Sequence, residues 1–275
     1  MCLVDFYAVT VDPIPERLRG AHSKCAIRPL SARERIEIED QFFRKGDKVA
    51  VPSNATAVVA LQTFSADDDP EECATLIEFA LSILTVSGFH PVNVLATFTS
   101  GGCSAAELRY SNARAQPAAT FGKLIGGAAA TKWLARFLIA RGKTPDRMHI
   151  TADRFVRYSR GYNLADTLLD LCICLESLLD SQSEVSFRFG TCLTKIVGAK
   201  GKEAEETAKL LSHLYELRSK LAHGDPAASK MLEKIKPSLA ELRKIARTIL
   251  ANYVLFISDH SRSEWKEHLH TLLFA

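Results

Sequence analysis

The chain has 275 residues, 47% hydrophobic and 24% charged, with a formal net charge of +3. Two ordinary domains suit that length better than one large core, and the mixture is that of a soluble globular protein. So small a charge excludes nucleic-acid binding by bulk electrostatics and asks for a local patch, and no apolar run reaches the ~18 residues of a membrane span.

MCLVDFYAVTVDP (1–13) has an aspartate inside its apolar run and no basic leader, so it reads as a strand and not a signal peptide. Its β-branched and aromatic side chains predict a strand over 2–11, bounded by Asp12-Pro13. Residues 14–47 are charged and irregular, with a short helix expected around 32–45. The two apolar runs of 48–64, on either side of Pro52-Ser53-Asn54, predict a hairpin. Asp69 then offers an N-cap, Pro70 suits a first helical position, and Glu71 and Glu72 suit a positive first turn, so a helix is expected up to Gly88. Another strand is predicted over 91–99, closing at Gly101-Gly102.

Strand signals stop at about residue 126. Helices are predicted over 130–142, 149–161, 164–181, 186–198, 202–223 and 230–260, the last with Pro237 as a start or kink. The 164–181 segment is apolar on most of its circumference and is therefore expected to be central. The expected fold is an α+β N-terminal domain, 1–125, followed by an all-α helical bundle, 126–275, with its core at 145–258. The seven cysteines (Cys2, Cys25, Cys73, Cys103, Cys172, Cys174 and Cys192) are odd in number and scattered, which points to reduced thiols and a cytoplasmic setting.

YELRSKLAHGDP (215–226) puts Tyr215, Arg218, Lys220 and His223 on the last turns of one helix, which Gly224 and Pro226 then stop. Cations suit a helix C-terminus, where the macrodipole is negative and carbonyls lack partners. An arginine and a histidine at one helix end could also bind and cleave a phosphodiester. LYELRSKLAHG (214–224) resembles the signature helix of HEPN domains, in the Apea-like branch. That family's motif is an arginine, four to six residues, then a histidine, and Arg218 and His223 have four between them. Upstream, DTLLDLCICLESLLDS (166–181) resembles the family's first core helix, with its aliphatic-leucine-glutamate pattern at Leu175-Glu176. The likeness covers about 145–258 and says nothing about 1–125. Many catalytic members carry Asn, Asp or His after the arginine, whereas this chain has Ser219.

The resemblance implies metal-independent RNA cleavage by the neighbouring 2′-hydroxyl, leaving a 2′,3′-cyclic phosphate and a 5′-hydroxyl, with no cofactor. Arg218 and His223 would be the catalytic residues. Histidine titrates near neutrality and moves protons, while arginine gives a permanent planar charge to the phosphate. Ser219, Lys220, Tyr215 and Arg188 would bind RNA or its phosphates. With Leu210, Leu214, Leu217 and Leu221 as the core stripe, Arg218 borders the core and His223 lies about 140° further round. Either the last turn departs from α geometry or two protomers combine their motifs. The family's habit of dimerising across a shared cleft favours a homodimer.

Other signals have plainer explanations. Tyr215 could be a boundary aromatic, Lys220 a solvated cation, and Arg188 with Glu184 a surface pair. Ser104 and Glu107 could form a capping box in GGCSAAE (101–107), where Cys103 is a conceivable nucleophile. Cys172 and Cys174 point to different sides of a helix, and His22-x-x-Cys25 and His268-x-His270 lack partners at zinc spacing, so no metal is expected.

Three functions follow. The leading expectation is a HEPN-type endoribonuclease of the toxin or defence-effector kind, acting on RNA and held by an inhibitor or antitoxin protein. The alternative, favoured by Ser219 and the modest charge, is a non-catalytic HEPN module for dimerisation and RNA or nucleotide binding. A distant third is a thiol enzyme built on Cys103.

Overall fold

The computed structural model describes residues 3–10, 20–23, 25–29, 31–32, 35–36, 56–65, 69–84, 94–99, 107–108, 127–160, 163–179 and 185–274. They are mostly helical. The chain divides into two compact units, Met1–Leu138 and Ile139–Ala275. No helix among the described residues is long and apolar enough to cross a membrane.

The first unit contains a six-stranded sheet in the order β2-β3-β4-β1-β5-β6, with every described pairing antiparallel. Its strands are β1 (Leu3–Thr10), β2 (Gly20–His22), β3 (Cys25–Pro29), β4 (Thr56–Ser65), β5 (Val94–Thr99) and β6 (Glu107–Leu108). β1 lies between β4 and β5, with Tyr7 opposite Val59 on one side and Phe98 on the other. The apolar run expected as the second arm of a hairpin is β4, which pairs with β1 and β3. Of the helix expected over 32–45, Ala32, Arg35 and Ile36 are described and helical, with Arg35 N bonding the Ser31 carbonyl at 3.1 Å. The rest of it, the hairpin's first arm, Gly88, Gly101-Gly102, Cys103 and Ser104 lie outside the described residues. Glu107 corrects the capping-box reading: it stands in β6 opposite Thr97, so its backbone is committed to a ladder and not to a first helical turn.

Helix α1 (Pro70–Leu84) begins where its sequence predicts, at a proline whose missing N–H costs nothing there. The Asp69 carbonyl accepts from Cys73 N at 3.0 Å, the first bond of the helix. Its inner face, including Leu76, Ile77, Phe79 and Ala80, is buried. Helix α2 (Gly127–Lys143) packs its first part there: Phe79 and Phe137 have ring centroids 5.7 Å apart, and Trp133 Nε1 donates to the Ala80 carbonyl at 3.2 Å. Cys25 Sγ donates to the Thr131 carbonyl at 3.2 Å, and burial pushes its thiol up to about 11. It is a packed, unreactive thiol.

The second unit is helical throughout its described length. It holds α3 (Pro145–Arg160), α4 (Leu164–Glu176), α5 (Val185–Val197), α6 (Gly201–Ala222), α7 (Ala227–Ile235), a 3₁₀ turn (Lys236–Ser238), α8 (Leu239–Asp259) and α9 (Arg262–Phe274). Pro237 sits in the 3₁₀ turn, where its absent N–H breaks the 230–260 pattern into α7 and α8. α4 touches α3, α5, α6 and α8, as its all-round apolar character requires. It buries Leu168, Leu171, Cys172, Cys174 and Leu175, and each buried leucine contributes about 1.5–3 kcal/mol. Asn163 caps α4, its Oδ1 accepting from Ala165 N at 2.9 Å. The long buried face of α8, from Leu242 to Ile257, closes the core.

Candidate functional site

α6 carries the motif, and its pattern differs from the predicted one. Its buried positions are Thr207, Leu211, Leu214 and Leu217, with Leu210 and Leu221 only half-buried. Thr207, Leu211 and Leu214 are spaced i, i+4, i+7, and Arg218 continues at i+11. Arg218 therefore faces the bundle and does not merely border the stripe. Its guanidinium meets α4: Arg218 Nη2 lies 3.5 Å from Glu176 Oε2, with side-chain exposures of 32% and 28%. This is a charge contact without hydrogen-bond geometry, since Arg218 Nε and Glu176 Oε2 are both buried with no hydrogen-bond partner. The two segments with the quoted patterns thus meet at their charged residues.

Tyr215 and Cys172 belong to the same cluster. The Tyr215 hydroxyl is held above its ordinary value by partial burial first and by Glu176 second, with Arg218 opposing. The Cys172 thiol is raised, mainly by burial and then by Glu176, again against Arg218. The Tyr215 ring lies against Phe189 of α5, with centroids 5.2 Å apart at 48°. Tyr215 is thus a packed boundary aromatic beside Arg218.

His223 is elsewhere. The bond from His223 N to the Ser219 carbonyl, at 3.2 Å, is an i→i−4 bond, so α-type bonding reaches His223 although α6 ends at Ala222. His223 is the exposed C-cap, at φ −98° and ψ 2°, a bridge-region conformation common at active sites. Five helical residues from Arg218 place it about 140° round the axis, away from the bundle. The last turn keeps its α-type bond up to His223, and only His223 itself leaves helical φ/ψ.

A Schellman motif ends α6. Gly224 adopts φ +66°, its N–H bonds the Leu221 carbonyl at 3.2 Å, and Asp225 N bonds the Lys220 carbonyl at 2.9 Å. Lys220 is held by this corner: its Nζ lies 3.3 Å from Asp225 Oδ2 and 3.7 Å from Glu216 Oε1. Asp225 Oδ1 also accepts from Ala227 N at 2.8 Å and so starts α7. Backbone and Lys220 hydrogen bonds hold the Asp225 carboxyl below its ordinary value. Ser219 is half-buried, its carbonyl used by His223.

Arg188 sits on α5 between exposed Phe187 and buried Phe189, its Nε buried without a hydrogen-bond partner. It lies near Cys192, whose thiol burial raises while Arg188 and Lys195 pull it down. Glu184 lies outside the described residues. Beside Arg188, Ser186, Phe187, Gly190, Thr191, Ala208 and Ser212 line an open groove of about 530 Å³ between α5 and α6. The helices approach closely at Gly190, where an added Cβ would stand 2.9 Å from Ser212 Oγ. The sequence reading missed this groove, because Gly190 and Ala208 lie on different helices and only their packing brings them together.

Cys172 and Cys174 are buried free thiols, as expected of small core residues. His268 stacks on Phe256 at 4.9 Å and belongs to the α8–α9 corner. Compared with protein-family models, curated proteins and solved structures, the chain matches none.

Proposed function

We propose that the helical half is an Apea-like HEPN module, joined to an α+β N-terminal domain, and that it acts as a metal-independent endoribonuclease of the toxin or defence-effector kind. The observation that carries this reading is the 3.5 Å approach of Arg218 to Glu176, because each residue comes from one of the two segments resembling that family. In the proposed reaction the 2′-oxygen attacks the adjacent phosphorus, the 5′-oxygen leaves, and a 2′,3′-cyclic phosphate remains. Arg218 stabilises the charge on the phosphoryl oxygens. The His223 imidazole accepts the 2′ proton or protonates the leaving oxygen. Since α6 is regular up to Ala222 and sets His223 about 140° round from Arg218, the two groups come from different protomers of a homodimer. The N-terminal domain recognises the trigger, the inhibitor or the RNA.

The decisive experiment incubates the purified chain with total RNA in EDTA and identifies the new ends. Cyclic phosphate and 5′-hydroxyl ends that disappear in Arg218→Ala and His223→Ala support the reading. Intact RNA in every condition refutes it.

A second reading has its own observation. Glu176 already engages Arg218, and His223 stands on the opposite side of the helix. On that basis the module dimerises or binds RNA or a nucleotide without cleaving it. RNA retention without cleavage in the same experiment selects this reading.

A further inference from the structure

Among the described residues, the arginine–carboxylate pairs Arg154–Asp170 and Arg218–Glu176 tie helices of the second unit to one another, and they differ in quality. Arg154 Nη1 donates to Asp170 Oδ1 at 2.8 Å between α3 and α4. Arg218 and Glu176 stop at 3.5 Å, and Arg218 Nε is buried without a hydrogen-bond partner. A well-formed pair of this kind closes to about 2.7–2.9 Å, often through two parallel bonds. Here a buried donor, Nε, and a buried acceptor, Oε2, are both left unmatched, which is unfavourable for charged groups. Both side chains keep about a third of their surface in water, so the pair can separate without unpacking the core.

Resting on the reading that Arg218 meets a phosphate, we propose that Glu176 is an internal competitor for the Arg218 guanidinium, holding it while the site is empty and yielding it to an incoming phosphate. The charges set the direction of the effect. A carboxylate beside the guanidinium offsets part of its attraction for an anion and directly repels the phosphate. Glu176 therefore sets the threshold of the site without touching reacting atoms. Since both side chains are partly in water, the exchange needs only a side-chain rotation of Arg218 and no helix movement. The exchange forms and breaks no covalent bond.

The test titrates the full-length chain with inorganic phosphate at low ionic strength, by calorimetry, in wild type, Glu176→Gln, Arg218→Ala and the double variant. Glutamine keeps the shape of the side chain and removes its charge. Glu176→Gln is expected to bind phosphate roughly three- to tenfold more tightly, and Arg218→Ala to remove that gain in the double variant. Equal or weaker binding by Glu176→Gln overturns the proposal, because Glu176 would then organise Arg218 and not compete for it. A gain that survives Arg218→Ala overturns it too. Should Glu176→Gln fold poorly, Glu176→Asp keeps the charge but withdraws it by one methylene, and it must also bind more tightly than wild type. Phosphate binding needs no cleavage, so a chain that leaves RNA intact but shows this pattern loses the ribonuclease reading and keeps this one.

Discussion

Replacing His223 by alanine removes an exposed imidazole at a helix end. If the chain cleaves RNA, the rate in EDTA should fall by roughly 10²–10⁴-fold while the melting temperature stays at the wild-type value. Arg218→Ala should abolish cleavage as well, and Arg218→Lys should remain impaired, since an ammonium cannot reproduce a planar fork. Arg218 faces the bundle, so its loss also leaves Glu176 unpaired. The stability cost should be about 1 kcal/mol, small because both groups are partly hydrated. A rate unaffected by His223→Ala would remove histidine from the mechanism. Two side chains of the α8–α9 corner should add to the acid response. Burial first, and His260 second, hold His268 below its ordinary 6.5, so folding favours the neutral ring. Its stabilising contribution is full above pH 6.5 and is lost as pH falls below that value. Hydrogen bonds from Ser261 and His260 lower Glu264 from 4.5 to about 2, so its contribution is full above pH 4.5 and is lost towards pH 2. Both signs agree, so acid should loosen this corner. Thermal melts between pH 8 and pH 5 should fall less steeply for His268→Phe, and identical slopes would show that His268 plays no part.

At the scale of elements, the two ends of the motif region are built from local chemistry. Gly224 supplies the left-handed turn that ends α6, and nothing lies within 4 Å of a Cβ added there. Gly224→Ala therefore tests conformation alone, and denaturant unfolding should show a loss of about 1 kcal/mol. A change below a few tenths of that would mean the corner is held by Lys220 and Asp225 instead. Helix α9 starts from a capping box: Ser261 N donates to Glu264 Oε2 at 2.7 Å, and Glu264 N donates to Ser261 Oγ at 3.3 Å. Trp265 then anchors it, donating through Nε1 to the Leu178 carbonyl at 2.8 Å. Only Trp265 and Leu269 of α9 are buried, which leaves little periodicity to read. The Ser261-x-x-Glu264 pattern was the legible signal, and hydrophobic spacing alone passes over it.

The whole-molecule question is whether two chains share a site. Mixing Arg218→Ala with His223→Ala chains answers it. If each site takes its arginine from one protomer and its histidine from the other, every mixed dimer keeps one intact site. With random exchange about half the dimers are mixed, so roughly a quarter of wild-type cleavage should return. No recovery after subunit exchange, or a monomer by light scattering at high concentration, would rule out a composite site.

Local patterns fixed by backbone chemistry were readable in the residue order. Pro70 and Asp69 start α1, Leu164 begins α4, Gly224 ends α6, and the all-round apolar character of α4 places it at the centre. Such features depend on near neighbours in the chain, so sequence alone determined them. The sequence also flagged Arg218 and His223, but it misjudged the stripe that orients them, because Leu210 and Leu211 are equally apolar and only the packed neighbours select Leu211 for burial. The partner of Arg218 was equally out of reach of spacing. Glu176 is 42 residues away, and what brings it within 3.5 Å is the packing of α4 against α6. Local propensity chose the helices. Tertiary packing decided which charge each arginine meets, because ion pairing depends on distance in space and not along the chain.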